Sequence, residues 1–192
     1  MVEANRLTSE GLAEREGYLA VEEVATLKEL AAMLPRDPVA VNIGAGMGTS
    51  ALALLEARGD LRIYSIDIED ESDLGSLRRE REALQEARMW DPIRIDQIHG
   101  DSRKVGRTWN RGPVDMVFVD DGHFYSECKG DIETWLPHVR DGGMMVFHDY
   151  GGKYGKGVVE AVDELMVCYE RVAQVGTLVA FRIGKADHEL DK

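Results

Sequence analysis

The stretch Val39-Ala40-Val41-Asn42-Ile43-Gly44-Ala45-Gly46-Met47-Gly48-Thr49-Ser50 decides the fold. A short apolar strand runs into three glycines at alternate positions and then into a helical pattern from Thr49 to Arg58. Gly44 permits a tight turn, and Gly46 lets a ligand approach the backbone where a Cβ would collide. The unpaired N–H groups of the following helix then face that ligand. The dinucleotide fingerprint G-x-G-x-x-G would need a glycine where Thr49 stands. Here the third glycine comes one place earlier, at Gly48.

Outward from this turn, β-branched runs alternate with longer helical patterns, the signature of βαβ units and a parallel sheet. Strands are read at Val39–Ile43, Arg62–Ile66, Arg94–His99, Val114–Val119, Gly143–His148, Arg171–Gln174 and Leu178–Ile183. Most are continuous apolar runs, as expected of strands covered on both faces. The fold class is α/β: a Rossmann-like, doubly wound, seven-stranded sheet, mostly parallel, with helices on both faces. Ile132, Trp135, Leu136 and Val139 form one helical stripe, and Val158, Val162, Leu165, Met166 and Tyr169 another. Upstream, Val24, Leu27, Ala31 and Leu34 mark an amphipathic helix that stops at Pro35. The first dozen residues read as loosely ordered. The expected organisation is a helical extension over 1–36, a single α/β domain over 37–185 and a tail over 186–192.

Composition narrows the function classes. The 192 residues carry 36 acidic and 23 basic side chains, a net charge of −13. Such a surface repels a phosphate polyanion, which argues against nucleic acid as a partner. The densest basic run, Arg78-Arg79-Glu80-Arg81, is interleaved with acid and reads as a solvated helix face. No apolar run approaches the ~20 residues that span a bilayer, so no membrane partner is expected. The polar start, MVEANRLTSEGLAERE, has no signal-peptide core. With only Cys128 and Cys168 present, the expectation is a cytoplasmic chain.

Two acids follow the glycine turn at informative places. Asp67 ends the second strand, roughly 20 residues past the glycines, where a carboxylate accepts both hydroxyls of a ribose; the alternative is a cap on the next helix. In His99-Gly100-Asp101-Ser102, Asp101 lies where an adenine amine is read in this fold, or serves as a plain N-cap with Ser102.

With these segments in order, the sequence resembles the class I S-adenosylmethionine-dependent methyltransferases from about Val39 to Ile183. The segment Asp115-Met116-Val117-Phe118-Val119-Asp120-Asp121-Gly122-His123-Phe124-Tyr125 is similar to that of small-molecule O-methyltransferases. Asp131, Trp135, Leu136-Pro137, Asp141-Gly142-Gly143 and His148-Asp149-Tyr150 continue the likeness to the catechol and the macrolide or cephalosporin O-methyltransferase groups. The resemblance implies an antiparallel last strand and S-adenosyl-L-methionine as cofactor. The cofactor-binding candidates are then Asn42, Gly44, Ala45, Gly46, Gly48, Thr49, Ser50, Asp67, Ile68, Asp101, Ser102 and Asp120. It also implies a divalent cation, magnesium or manganese, on Asp120, His148 and Asp149, with His123 as the general base. A metal-free polar pocket is the alternative for the trio, and a helix-entry histidine that for His123. Two positions depart from the pattern: Asn42 stands where those enzymes carry an acid, and His148 offers nitrogen where they offer oxygen. Tyr125 and Trp135 read as packing residues.

The resemblance thus implies methyl transfer to a small-molecule acceptor, at a hydroxyl oxygen. The rival readings are a non-catalytic cofactor-binding module and, from the glycine turn alone, an NAD(P)-dependent oxidoreductase. So short a chain leaves little insertion for an acceptor pocket, which points to a homo-oligomer whose second subunit completes it. The run Gly151-Gly152-Lys153-Tyr154-Gly155-Lys156-Gly157 reads as a mobile lid or as a plain connection.

Overall fold

The computed structural model describes residues 6–68 and 75–184. Its sheet comprises β1 (Val39–Ile43), β2 (Arg62–Asp67), β3 (Ile95–His99), β4 (Val114–Val119), β5 (Val139–Phe147), β6 (Glu170–Val175) and β7 (Leu178–Arg182). The spatial order is β3-β2-β1-β4-β5-β7-β6. β1 to β5 run parallel, and β7 is antiparallel to both β5 and β6.

Alternation along each strand feeds two separate apolar layers. Met116 and Phe118 of β4 pack on one face with Leu12, Leu27, Leu52 and Leu84. Val117 and Val119 pack on the other with Cys128, Ile132, Trp135 and Val162. Burial on both sides favours apolar residues at successive positions, which is why most of these strands read as near-continuous apolar runs broken at single polar positions such as Asn42, Ser65 and Asp115. The first layer belongs to α1 (Ser9–Glu16), α2 (Val21–Ala32), α3 (Thr49–Ala57) and α4 (Ser76–Glu86); α5 (Ser102–Arg107), α6 (Tyr125–Trp135) and α7 (Lys156–Leu165) flank the second.

The structure corrects four expectations. The beginning of the chain is not loosely ordered from residue 6 onward: Thr8 caps α1 by accepting from Gly11 N, and Leu12 and Ala13 are buried against the sheet layer. Residues 1–5 lie outside the described residues. Ser9 and Lys28 both bond Glu56, at 2.6 and 2.8 Å, and so tie α1 and α2 to α3. The stripe ending at Val139 is not one helix, because Pro137 has no N–H to continue the ladder. The chain tightens to a 3₁₀ turn at Leu136–His138, and Val139 opens β5. Tyr169 lies beyond α7, which ends at Leu165. Finally, Glu80 does not belong to a solvated face: it is fully buried beneath the glycine turn.

Candidate active site

Sheet order places the site. β1 lies between β2 and β4, so its crossovers leave in opposite directions and open a crevice at the strands' carboxyl ends. A cavity of about 570 Å³ occupies that crevice. One wall is the glycine turn with Thr49, Ser50 and Asp67; the other is Asp120, Asp121, His123, His148 and Asp149.

Gly44 joins the two walls. Its φ is +87°, and a Cβ there would lie 2.2 Å from the carbonyl oxygen of Asp120. The turn can therefore nest against the end of β4 only without a side chain. Ala45 N–H donates to Asp67 Oδ2 at 2.7 Å, which fixes the β2 carboxylate beside the turn. The N-cap of α4 is Gly75, so Asp67 does not cap that helix. α3 starts at Thr49, whose buried Oγ1 has no hydrogen-bond partner among the described residues.

Behind this wall is a buried polar chain. Asn42 Nδ2 donates to Ser65 Oγ at 3.2 Å and to Gly44 O at 3.3 Å. Ser65 Oγ donates to Glu80 Oε1, and Gln97 Nε2 donates to Glu80 Oε2 at 2.6 Å. Burial pushes the Glu80 carboxyl up to about 7, against the pull of those two donors. Asn42 is wholly buried and faces this chain rather than the cavity.

The opposite wall is built around His148. Its Nδ1 lies 2.9 Å from Asp120 Oδ1 and 3.5 Å from Asp149 Oδ2. Its Nε2 lies 3.2 Å from Glu23 Oε2. Burial works to lower this imidazole, but the surrounding Asp120, Asp149 and Glu23 carboxylates raise it far above the usual histidine range. Asp149 is held low, chiefly by its bond to His148, whereas burial lifts Asp120 despite the same partner. Asp149 has a φ of +59°, a left-handed backbone that costs a non-glycine residue of order 1 kcal/mol. That turn aims its carboxylate at two histidines, for His123 Nε2 lies 2.9 Å from Asp149 Oδ2. His123 is half exposed at the cavity edge, with its ring edge-on to Tyr154.

The structure thus brings together Gly44, Ala45, Gly46, Thr49, Ser50, Asp67, Asp120, His123, His148 and Asp149 around one cavity. Gly48 caps α3 behind it, and Ile68 is half exposed beside Asp67. Asp101 caps α5 and pairs with Arg103. Ser102 is buried and donates to Asp131. Tyr125 and Trp135 pack in the second apolar layer. In the run 151–157, Gly155 packs directly on Asp149 O, Tyr154 borders the cavity and α7 begins at Lys156. The sequence reading missed Glu23, Asp121 and Tyr18. Of these, Asp121 stood in plain view beside Asp120; the other two lie on the α1–α2 segment, with no local mark of a site.

A sheet of order β3-β2-β1-β4-β5-β7-β6 with β7 antiparallel, a glycine turn after β1 and an acid ending β2 together make a methyltransferase-type α/β domain. A profile of the methyltransferase domain matches residues 41–150, and the chain belongs to that family. Over 102 residues, half of the chain, it is 28% identical to mycinamicin VI 2''-O-methyltransferase of Micromonospora griseorubida. The matched part spans only 21% of that relative's length. Among solved structures, the fold is shared with the O-methyltransferase TomG of Streptomyces achromogenes, involved in tomaymycin synthesis and solved with S-adenosylmethionine (TM-score 0.70, 21% identity, covering 95% of this chain and 93% of that one). It is shared too with an O-methyltransferase of Bacillus cereus solved with S-adenosylhomocysteine (TM-score 0.70, 13% identity, 95% and 94% covered). No helix among the described residues is long and apolar enough to cross a membrane.

Proposed function

We propose that this protein binds S-adenosylmethionine in the 570 Å³ cleft and transfers its methyl group to a hydroxyl oxygen of a small acceptor. The observation that carries this reading is the pairing of Asp67 with the glycine turn, facing a second wall of titratable groups across one cavity. Asp67 would accept the ribose hydroxyls, and the α3 terminus with the partnerless Thr49 hydroxyl would meet the polar end of the ligand. The acceptor would enter past Tyr18 and Tyr154, both exposed at the cavity.

His123 is the proton acceptor in this scheme. With Nε2 committed to Asp149 Oδ2, its Nδ1 takes the acceptor hydroxyl's proton. The new O–CH₃ bond forms as the S–CH₃ bond breaks, leaving S-adenosylhomocysteine, and Asp149 stabilises the imidazolium. Asp120, His148 and Asp149 also suit a divalent cation, since one donor atom from each lies within 4.8 Å of the others. Such an ion, when bound, would supply charge neutralisation and lower the acceptor's hydroxyl pKa. His148 would offer it Nδ1 after releasing that proton.

A ligand at ~100 times its dissociation constant adds about 2.7 kcal/mol of stability. For a domain of this size that is a melting-point rise of roughly 5–10 °C. Saturating S-adenosylhomocysteine should produce this rise, and NAD or NADP should not. The opposite ranking would overturn the reading.

A further inference from the structure

We infer that Glu23 is a positioning residue for the divalent-cation centre: it holds the His148 ring from behind so that Nδ1, not Nε2, is the nitrogen offered to the ion. This rests on the metal-assisted reading above. An acid in the first turn of a helix ordinarily sits in water and offsets the helix dipole. Glu23 occupies that place in α2, yet it is only 4% exposed.

Its carboxylate is partnered on both oxygens, locally by Ala20 and from two distant parts of the chain. Oε2 accepts from Ala20 N at 2.8 Å and faces His148 Nε2 at 3.2 Å. Oε1 accepts from Thr177 N at 2.6 Å and from Thr177 Oγ1 at 2.9 Å, at the tip of the β6–β7 hairpin. The hairpin is shaped to admit it, since a Cβ on Gly176 would lie 2.5 Å from Glu23 Oε1. A carboxylate so fully bonded cannot swing, and the imidazole edge resting on it is fixed as well. The other edge then points at Asp120 Oδ1 and Asp149 Oδ2, 2.9 and 3.5 Å from Nδ1, so that the three donors converge. Metal-binding histidines commonly donate their second N–H to a carboxylate in this way, and losing that partner costs 10–100-fold in metal affinity. A nitrogen donor among carboxylates also favours manganese or zinc over magnesium.

The test uses the metal alone. Manganese(II) binding to the purified chain is followed by electron paramagnetic resonance for the wild type, Glu23→Gln and Glu22→Gln. In Glu23→Gln the charge is lost and the amide NH₂ must face the N–H of Ala20 or of Thr177, so the fixed backing of the Nε2 edge is undone. We expect a loss of manganese affinity of at least tenfold in Glu23→Gln. Glu22→Gln removes the same charge from the exposed neighbour in the first turn of α2, leaves the His148 contacts of Glu23 and Thr177 in place, and should stay within about threefold of the wild type. Equal binding by the wild type and Glu23→Gln, or equal losses in both variants, would overturn the positioning role while leaving the metal site standing. No binding by the wild type would instead overturn the metal reading itself. Should Glu23→Gln fail to fold, zinc titration of the ¹⁵N-histidine-labelled wild type decides the matter. Ligation at His148 Nδ1 supports the inference, and ligation at Nε2 overturns it.

Discussion

Ser65 Oγ donates to Glu80 Oε1 at 2.5 Å, and that bond sets a carboxyl group in the dry layer directly under the glycine turn. Folding raises the Glu80 pKa from 4.5 to about 7, mainly through burial. The folded state therefore keeps a proton that the unfolded chain loses. Between about pH 4.5 and 7 the folded form binds more protons, so this group's contribution to stability falls as pH rises and levels off above 7. The full swing is about 3 kcal/mol. Glu80→Gln should erase it, being neutral in wild type's place and still able to pair with Ser65 and Gln97. Urea unfolding at pH 5 and pH 8 measures this: the variant should gain on the wild type at pH 8. An equal gap at both values would show that Glu80 is not carrying a proton.

Asp67 gives the cofactor prediction. Asp67→Asn keeps an oxygen for Ala45 N–H but loses the charge that a ribose pair would use. The thermal shift with S-adenosylhomocysteine should fall to less than half of the wild-type value, while the ligand-free melting point barely moves. An unchanged shift would mean that Asp67 only braces the turn.

Gly44 tests how tightly the two walls are joined. Alanine there meets both a φ of +87° and the Asp120 carbonyl oxygen at 2.2 Å. The backbone strain alone costs ~1–3 kcal/mol, and the walls must part to relieve the contact. Gly44→Ala should lower the melting point and abolish the S-adenosylhomocysteine shift. Retention of both would refute the close packing of turn and β4.

His123→Ala should reduce turnover by ~10²–10⁴, the usual worth of a positioned base. Its side chain is 52% exposed, so melting temperature and S-adenosylhomocysteine affinity should stay near wild type. Full turnover in the variant would place the proton acceptor elsewhere.

Leu12 tests the first helix. It is wholly buried in the α1–α3 layer, and Leu12→Ala should cost ~2–5 kcal/mol. A loss below 0.5 kcal/mol, read from urea unfolding, would return α1 to the status of a loose extension.

Legibility followed the range over which each signal acts. The strands were readable because burial on both faces writes itself into consecutive apolar residues, as in Met116–Val119. The glycine turn and Asp67 were readable because their spacing is local. Asp120, His148 and Asp149 came from resemblance, and their convergence depends on β4 and β5 being neighbours. Glu23 was not readable: its partner His148 is 125 positions away, and in its own helix it looks like an ordinary first-turn acid. Glu80 hid among arginines, since a run of charges says nothing about which one faces inward. α1 was missed because half of its residues are charged, with a single leucine to anchor it.

Glu23 and Thr177, bonded across 154 positions, also set an order of events. Such a contact closes a very long loop, and contacts of that span form late. During synthesis the chain emerges from its N-terminal end, so α2 and the glycine turn are out well before the β6–β7 hairpin. Until that hairpin arrives, His148 has no settled backing. The nucleotide half of the cleft therefore has its parts in hand before the backing of its reactive half exists.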